Sequence, residues 1–78
     1  MPKLPDITGS ELIRALQQVG FVVVRSKGSY FQVRRIEADG QVTTFPAPVH
    51  AGRSLKPGTL TGILRKANLD VEQLRSLL

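Results

Sequence analysis

The sequence predicts a small α+β domain in the order α-β-β-β-α, with a short extra C-terminal helix and a three-stranded antiparallel sheet. Three features predict it: a capped amphipathic helix comes first, three strand-like runs separated by turn signals follow, and a proline-initiated helix comes after them. Both helices must bury an apolar side, so we expect them on one face of the sheet, with the other face open. Residues 1–78 are expected to form one domain.

The first helix is predicted from about Gly9 to Val19. Thr8 and Glu11 have the spacing of a capping box, in which each side chain satisfies a free backbone N–H group of the other residue. Gly20 suits the left-handed conformation that ends many helices. The buried stripe at helical spacing would consist of Leu12, Ile13, Leu16 and Val19.

Two strands are expected next. The run Phe21–Val24 carries three consecutive β-branched residues, which favours a strand, and we expect it in a central position. After a turn at Lys27–Ser29, alternation along Tyr30–Ile36 predicts a second strand with Phe31 and Val33 facing the helices. The open face should then carry Tyr30, Gln32 and Arg34.

The third strand is predicted over Gln41–Phe45, after a hairpin turn at Ala38–Gly40. Pro46 and Pro48 are expected to end regular pairing, because proline lacks the N–H group that a ladder needs. Ala47–Leu55 is then expected to be a loop.

Two helices complete the prediction. Lys56 and Pro57 open the second helix, and Asn68 can take the left-handed conformation that ends it. Asp70 and Gln73 have the spacing of a capping box for the short last helix. The apolar stripe of the second helix would consist of Leu60, Ile63, Leu64 and Ala67, with Thr61 and Arg65 on the opposite side.

The charge pattern points to a polyanionic partner. The net charge is +5 and the isoelectric point is near 10.5. Between Arg25 and Lys66 there are eight basic and two acidic residues, which favours nucleic acid as the partner, although a solvated basic surface without a ligand is the alternative.

The chain has no cysteine, which excludes disulfides and thiolate metal sites. The N-terminal segment lacks an apolar leader and no run is long enough to span a bilayer, so we expect a cytoplasmic protein.

Two groups of residues can carry RNA chemistry. Lys27–Tyr30 combines a flexible glycine with a hydroxyl and free N–H groups that can hold a phosphate, or it is an ordinary hairpin turn. Tyr30, Gln32 and Arg34 would place a ring, an amide and a guanidinium on one strand face. Such a face suits base stacking and phosphate contacts, and the alternative is a solvent-facing sheet surface.

His50 is the single histidine of the chain, and it has no carboxylate or second histidine nearby in sequence. This context is poor support for a metal site. An imidazole can act as a general base near neutral pH, and the alternative is a plain loop residue. Nucleotide-binding loops and zinc signatures are absent from the sequence, so we expect no cofactor and no metal.

Several strings together make the sequence similar to a known family, the HicA-type toxins of bacterial toxin–antitoxin pairs. Lys27–Tyr30 lies where the family carries lysine-glycine-serine-histidine, and Pro48–His50 matches a second family segment. The most distinctive string is Leu55–Leu60, which is followed by Ile63–Ala67. The resemblance covers nearly the whole chain.

The resemblance implies a double-stranded-RNA-binding-like fold and metal-independent cleavage of mRNA. It also implies a HicB-type antitoxin protein as the partner. The candidate catalytic residue is Tyr30, because it occupies the family's histidine position. The candidate RNA-binding residues are Lys27, Gly28, Ser29, Gln32, Arg34, Lys56 and Arg65.

Tyrosine in place of histidine changes the chemistry expected at position 30. Imidazole titrates near pH ~6.5 and a phenol near ~10, so a phenol can donate a proton but is a poor base at neutral pH. Three interpretations stay open: a natural replacement in an active enzyme, a natural member that binds without cleaving, or an engineered or selected change. The expected function is therefore that of a ribonuclease toxin, and the alternative is an inactive module that binds RNA or antitoxin.

Overall fold

A computed structural model describes residues 3–78 and confirms the predicted order of helices and strands. Met1 and Pro2, which belong to the N-terminal segment and the single domain predicted above, lie outside the described residues. Within residues 3–78, no helix has both the length and the apolar composition that crossing a membrane requires. The elements are α1 (Gly9–Gln18), β1 (Val22–Lys27), β2 (Tyr30–Ile36), β3 (Val42–Pro48), α2 (Pro57–Ala67) and α3 (Val71–Ser76).

The helix boundaries follow the predicted signals. At the start of α1, the Glu11 N–H donates to Thr8 Oγ1 at 3.2 Å, and the Thr8 N–H donates to Glu11 Oε1 at 2.9 Å. Past its end, Gly20 has a φ of +98°, which is the left-handed backbone that stops a helix. The other signals are also confirmed, with Pro57 in the first turn of α2, Asn68 left-handed at its end, and Asp70 and Gln73 capping α3.

Strand β1 lies at an edge of the sheet, so the expectation of a central position was wrong. The strand order is β1-β2-β3, both pairings are antiparallel, and every residue of β1 is exposed. The register shifts between Val23 and Arg25, which leaves Val24 as an extra residue in a bulge of the kind common at sheet edges. β-branched residues favour a strand, but they do not decide its place, which depends on the neighbours available.

Strand β3 continues through both prolines, so the prediction that they end pairing was wrong. Pro46 lies opposite Gln32, and Pro48 lies opposite Tyr30. The prolines are two residues apart, so both ring nitrogens turn to the same side of the strand. Because β3 is an edge strand, that side can be the unpaired one, where the missing N–H groups are not needed.

Both long helices pack on one face of the sheet, as predicted. Val33 from β2 and Phe45 from β3 are buried beneath them, and Phe31 packs half-buried against the same core. The rings of Phe21 and Phe45 meet edge to face, with centroids 5.3 Å apart. The helices contribute to this core the buried residues Leu12, Ile13, Ala15, Leu16, Leu60, Ile63, Leu64, Ala67 and Leu74.

Arg35 joins the C-terminal ends of both long helices. Its guanidinium donates to the Val19 carbonyl at the end of α1 and to the Ala67 carbonyl at the end of α2, each at 3.2 Å. It also donates to Glu37 Oε2 at 2.9 Å and lies 4.3 Å from the centroid of the Phe21 ring. A cation at two helix C-termini satisfies free carbonyls and complements both helix dipoles. This basic residue therefore stabilises the fold.

We expect Arg35→Lys to lower the free energy of unfolding by about 1–3 kcal/mol, because lysine cannot reach three acceptors with one planar group.

The effect of this substitution should also depend on pH. The hydrogen bond from Arg35 to Glu37, with one from Thr43, lowers the pKa of the Glu37 carboxyl. That contribution is present above the carboxyl's unfolded pKa and is lost as the pH falls through the lowered one, so the deficit should shrink in acid. Urea denaturation at several pH values measures this. The exposed neighbour Arg34→Lys is the matched control, and equal losses in both variants would contradict the assignment.

Candidate functional site

Two segments that are distant in sequence meet at one end of the sheet. Gly28, with a φ of +57°, forms the turn that leads into Tyr30, the first residue of β2. The pairing with β3 continues past the end of that strand, since the Val49 N–H donates to the Ser29 carbonyl at 2.6 Å. Tyr30 follows Ser29 and His50 follows Val49. This hydrogen bond therefore places Tyr30 and His50 at the same end of the sheet.

A cleft of about 570 Å³ opens at this end, between the sheet, the loop after β3 and helix α2. Tyr30 reaches it from the sheet, His50 from the loop and Lys66 from the helix. Tyr30 is 54% exposed, so its ring is available to a ligand. The full lining consists of Tyr30, Pro46, Pro48, His50, Arg53, Ser54, Leu55, Lys56, Gly58, Thr59, Gly62, Ile63 and Lys66.

Helix α2 leaves room for the cleft because two of its cleft-facing residues are glycines. Gly58, Gly62 and Lys66 are four residues apart and therefore share one side of the helix. A Cβ atom added at either glycine would meet no atom within 4 Å, so the space beside them is open. Lys56 precedes the first turn and makes no side-chain cap hydrogen bond.

The open face, meaning the sheet surface turned away from the helices, leads directly into this cleft. Gln32 and Arg34 alternate with the buried side of β2 as predicted, and Gln32 Nε2 donates to Thr44 Oγ1 at 3.1 Å. On β1, Arg25 lies opposite Gln32 and Lys27 lies opposite Tyr30.

Two shallow depressions mark a continuous path along this face. The first is lined by Val24, Arg25, Gln32, Arg34, Val42 and Thr44. The second is lined by Arg25, Lys27, Tyr30, Gln32 and Pro46. The first shares Arg25 and Gln32 with the second, and the second shares Tyr30 and Pro46 with the cleft. Tyr30 therefore stands at the junction of the open face and the cleft.

The charges along this path are positive and unpaired by acids. Within residues 3–78 the only ion pair joins Arg35 to Glu37, which lies away from the path. None of the described acidic side chains lines the two depressions or the cleft. The uncompensated cations are Arg25, Lys27 and Arg34 on the open face and Arg53, Lys56 and Lys66 in the cleft. Such a surface attracts a phosphate backbone.

The structure brings most of the predicted site residues together. Arg65 is the exception, since it lines separate depressions on the other side of α2, near Leu64 and Asp70. Its neighbour Lys66 lies in the cleft instead, and its spacing of four residues from Gly62 was the signal for it. Sequence reasoning also did not single out Arg25 or Arg53. The residues that do lie on the path or form its turn are Lys27, Gly28, Ser29, Tyr30, Gln32, Arg34 and Lys56.

The chain matches the model of a known protein family over most of its length. The family model described as HicA toxin of bacterial toxin-antitoxin matches residues 9–69. This range includes every residue that lines the cleft and the whole sheet, and it leaves out α3. A search of curated proteins gave no match.

Proposed function

The chain belongs to the HicA family of bacterial toxin–antitoxin toxins, and we propose that it is a metal-independent endoribonuclease that cleaves mRNA in the cytoplasm. The observation that carries this proposal is the junction at Tyr30, where a cationic sheet face enters a cationic cleft. We take residues 1–78 as one domain that acts as a unit. Catalysis without a metal requires cations and proton-transfer groups from the protein itself, and the cleft supplies both kinds.

In this proposal, a single strand of RNA lies along the open face with its scissile phosphate in the cleft. Arg25, Lys27 and Arg34 contact phosphates on the open face, and the Tyr30 ring stacks on a base or sugar at the junction. Lys56 and Lys66 in the cleft stabilise the negative charge that develops on the reacting phosphate. Gly28 and Ser29 shape the turn that the RNA passes, and the Gln32 amide offers a further polar contact to the RNA. Arg65 stands outside this path.

The proposal predicts a steep dependence of RNA binding on salt. Neutralising single-strand phosphates gives a slope of about −0.7 per contact in a plot of log affinity against log salt. Arg25→Gln combined with Arg34→Gln should therefore weaken binding and flatten the slope by about 1.4. Fluorescence anisotropy with a labelled RNA of mixed sequence measures this. Arg14→Gln combined with Arg65→Gln is the control matched in net charge, because both residues are exposed and lie off the path. Equal slopes in all three proteins would contradict RNA binding on the open face.

Cleavage itself is tested by incubating the purified chain with RNA in EDTA. RNA fragments that accumulate with protein concentration support the ribonuclease. Intact RNA, bound with the expected salt dependence, supports the second candidate function, a module that binds RNA or antitoxin without turnover. The tyrosine at the family's histidine position is the observation that favours this second candidate.

A toxin of this family acts with an antitoxin, and we propose a HicB-type protein that covers Tyr30 and the open face. The face is cationic, and it also exposes apolar side chains beyond Arg34, with Ile36 66% and Val42 48% exposed. A partner with acidic groups around a small apolar centre complements such a surface. Size-exclusion chromatography of this chain mixed with the HicB-type protein tests the proposed complex. Failure of the two proteins to co-elute contradicts it.

A further inference from the structure

We propose that His50 is a catalytic residue and acts as the general base of the cleavage reaction. The inference rests on the proposed ribonuclease function and names the group that removes a proton from the substrate. His50 lies 20 positions after Tyr30 in the sequence, yet both side chains line the same cleft. The sequence left His50 open as either a general base or a plain loop residue, and the shared cleft favours the general base.

The segment that carries His50 is held by two backbone hydrogen bonds and by close packing against α1. The Val49 N–H donates to the Ser29 carbonyl at 2.6 Å, and the Arg53 N–H donates to the His50 carbonyl at 2.9 Å. From the helix side, α1 packs so closely on this segment that a Cβ atom at Gly9 would lie 2.3 Å from the Pro48 carbonyl oxygen. A side chain on a segment held in this way has a defined position, which general-base catalysis requires.

The other groups that line the cleft are unsuited to the role of base. The charged or titratable groups that line the cleft with His50 are Tyr30 from β2, Arg53 from the loop, Lys56 just before α2, and Lys66 from α2. Among the described residues of the lining there is no carboxylate. Guanidinium and ammonium groups carry their protons at neutral pH, and a phenol does too, so they are donors. Imidazole is the side chain that accepts and releases a proton under these conditions.

The reaction then divides between two residues that line the same cleft, His50 and Tyr30. The His50 imidazole accepts the proton of the ribose 2′-hydroxyl, and the 2′-oxygen forms a bond to phosphorus. The bond from phosphorus to the 5′-oxygen breaks, and this oxygen takes the proton of the Tyr30 phenol. The products are a 2′,3′-cyclic phosphate and a 5′-hydroxyl. Proton transfer through water from imidazolium to phenolate restores both groups, so no metal, oxidant or other reactant is consumed.

The test uses His50→Gln and His50→Ala, each made in the wild-type chain and in Tyr30→His. Loss of a general base should lower cleavage of a 5′-labelled single-stranded RNA about 10²–10⁴-fold. RNA affinity and the free energy of unfolding should stay nearly unchanged, because His50 is exposed. The rate of the parent chain should fall in acid as the imidazole is protonated, and this acidic limb should be absent in His50→Gln. Added imidazole should restore part of the activity of His50→Ala.

The outcomes separate this inference from the function on which it rests. Cleavage that His50→Gln leaves intact in both backgrounds overturns the role of His50 while the ribonuclease stands. Fragments with 5′-phosphate ends overturn it as well, because the 2′-oxygen then did not displace the 5′-oxygen. No cleavage by the wild-type chain or by Tyr30→His, despite RNA binding, contradicts the ribonuclease itself and overturns the inference with it. Arg14→Gln is the control variant outside the cleft.

Discussion

Tyr30→His is expected to raise the rate of RNA cleavage by about 10²–10⁴ at neutral pH, which is the usual range for general acid–base catalysis. Tyr30 stands where the open face meets the cleft and is 54% exposed, so an imidazole there would reach the same phosphate. An imidazolium releases its proton to a leaving 5′-oxygen more readily than a phenol does. With His50 as base, the variant would carry a histidine for each proton transfer.

Cleavage of a labelled RNA in EDTA, followed over a range of pH, measures this gain. Tyr30→Phe is the matched control, because it keeps the ring for stacking and removes the acidic proton. We expect Tyr30→Phe to bind RNA with nearly wild-type affinity and to cleave it more slowly than the wild-type chain. If Tyr30→His is folded and binds RNA but leaves it intact, the ribonuclease proposal fails and the binding module is favoured.

Gly9→Ala is expected to lower the free energy of unfolding by about 1–3 kcal/mol, the usual cost of overpacking. The new Cβ atom would lie 2.3 Å from the Pro48 carbonyl oxygen and 2.8 Å from Val49 Cα. Both atoms belong to the backbone, so the strand end or the helix must move. Because His50 follows this segment directly, cleavage should also fall, by up to about 10²-fold for a shift near 1 Å.

Urea denaturation and the RNA cleavage assay together test the Gly9 prediction. Gly62→Ala is the matched control for stability, because it lies within α2 and its Cβ atom would meet nothing within 4 Å. That control should raise the free energy of unfolding by about 0.5–1 kcal/mol, since alanine favours a helix interior over glycine. A stabilising effect from both substitutions would contradict the close packing of α1 on β3.

Much of the fold could be predicted because its signals are local. The capping boxes, the left-handed Asn68 and the alternation around Val33 each depend on residues a few positions apart, and all were confirmed. The two wrong predictions, the central position of β1 and the end of β3 at its prolines, both concern which strands pair with each other. β1 carries three valines but lies at an edge, and β3 runs through Pro46 because its outer side is unpaired. Neither fact is encoded within the strand itself, since both depend on which neighbour pairs with it.

Part of the candidate site could likewise be predicted from a local pattern, and the rest depends on how distant segments pack. Its first part, Tyr30 with Gln32 and Arg34 on one strand face, could be predicted from the period of two along β2. Its second part brings in His50 from a loop and Lys66 from a helix, and Arg65 lies elsewhere. These residues are many positions apart, so their meeting depends on how α2 crosses the end of the sheet.

The sequence by itself determined the elements, the basic character and the family, because helix caps, turns, charge and short strings are properties of neighbouring residues. Only the tertiary structure decided that Tyr30 and His50 share a cleft, and that Arg35 is a structural residue rather than a ligand contact. The structure was needed for both facts because packing and strand pairing bring together segments that are distant in sequence. The Val49–Ser29 hydrogen bond and the contact of Gly9 with Pro48 are two of the places where distant segments meet to build the site.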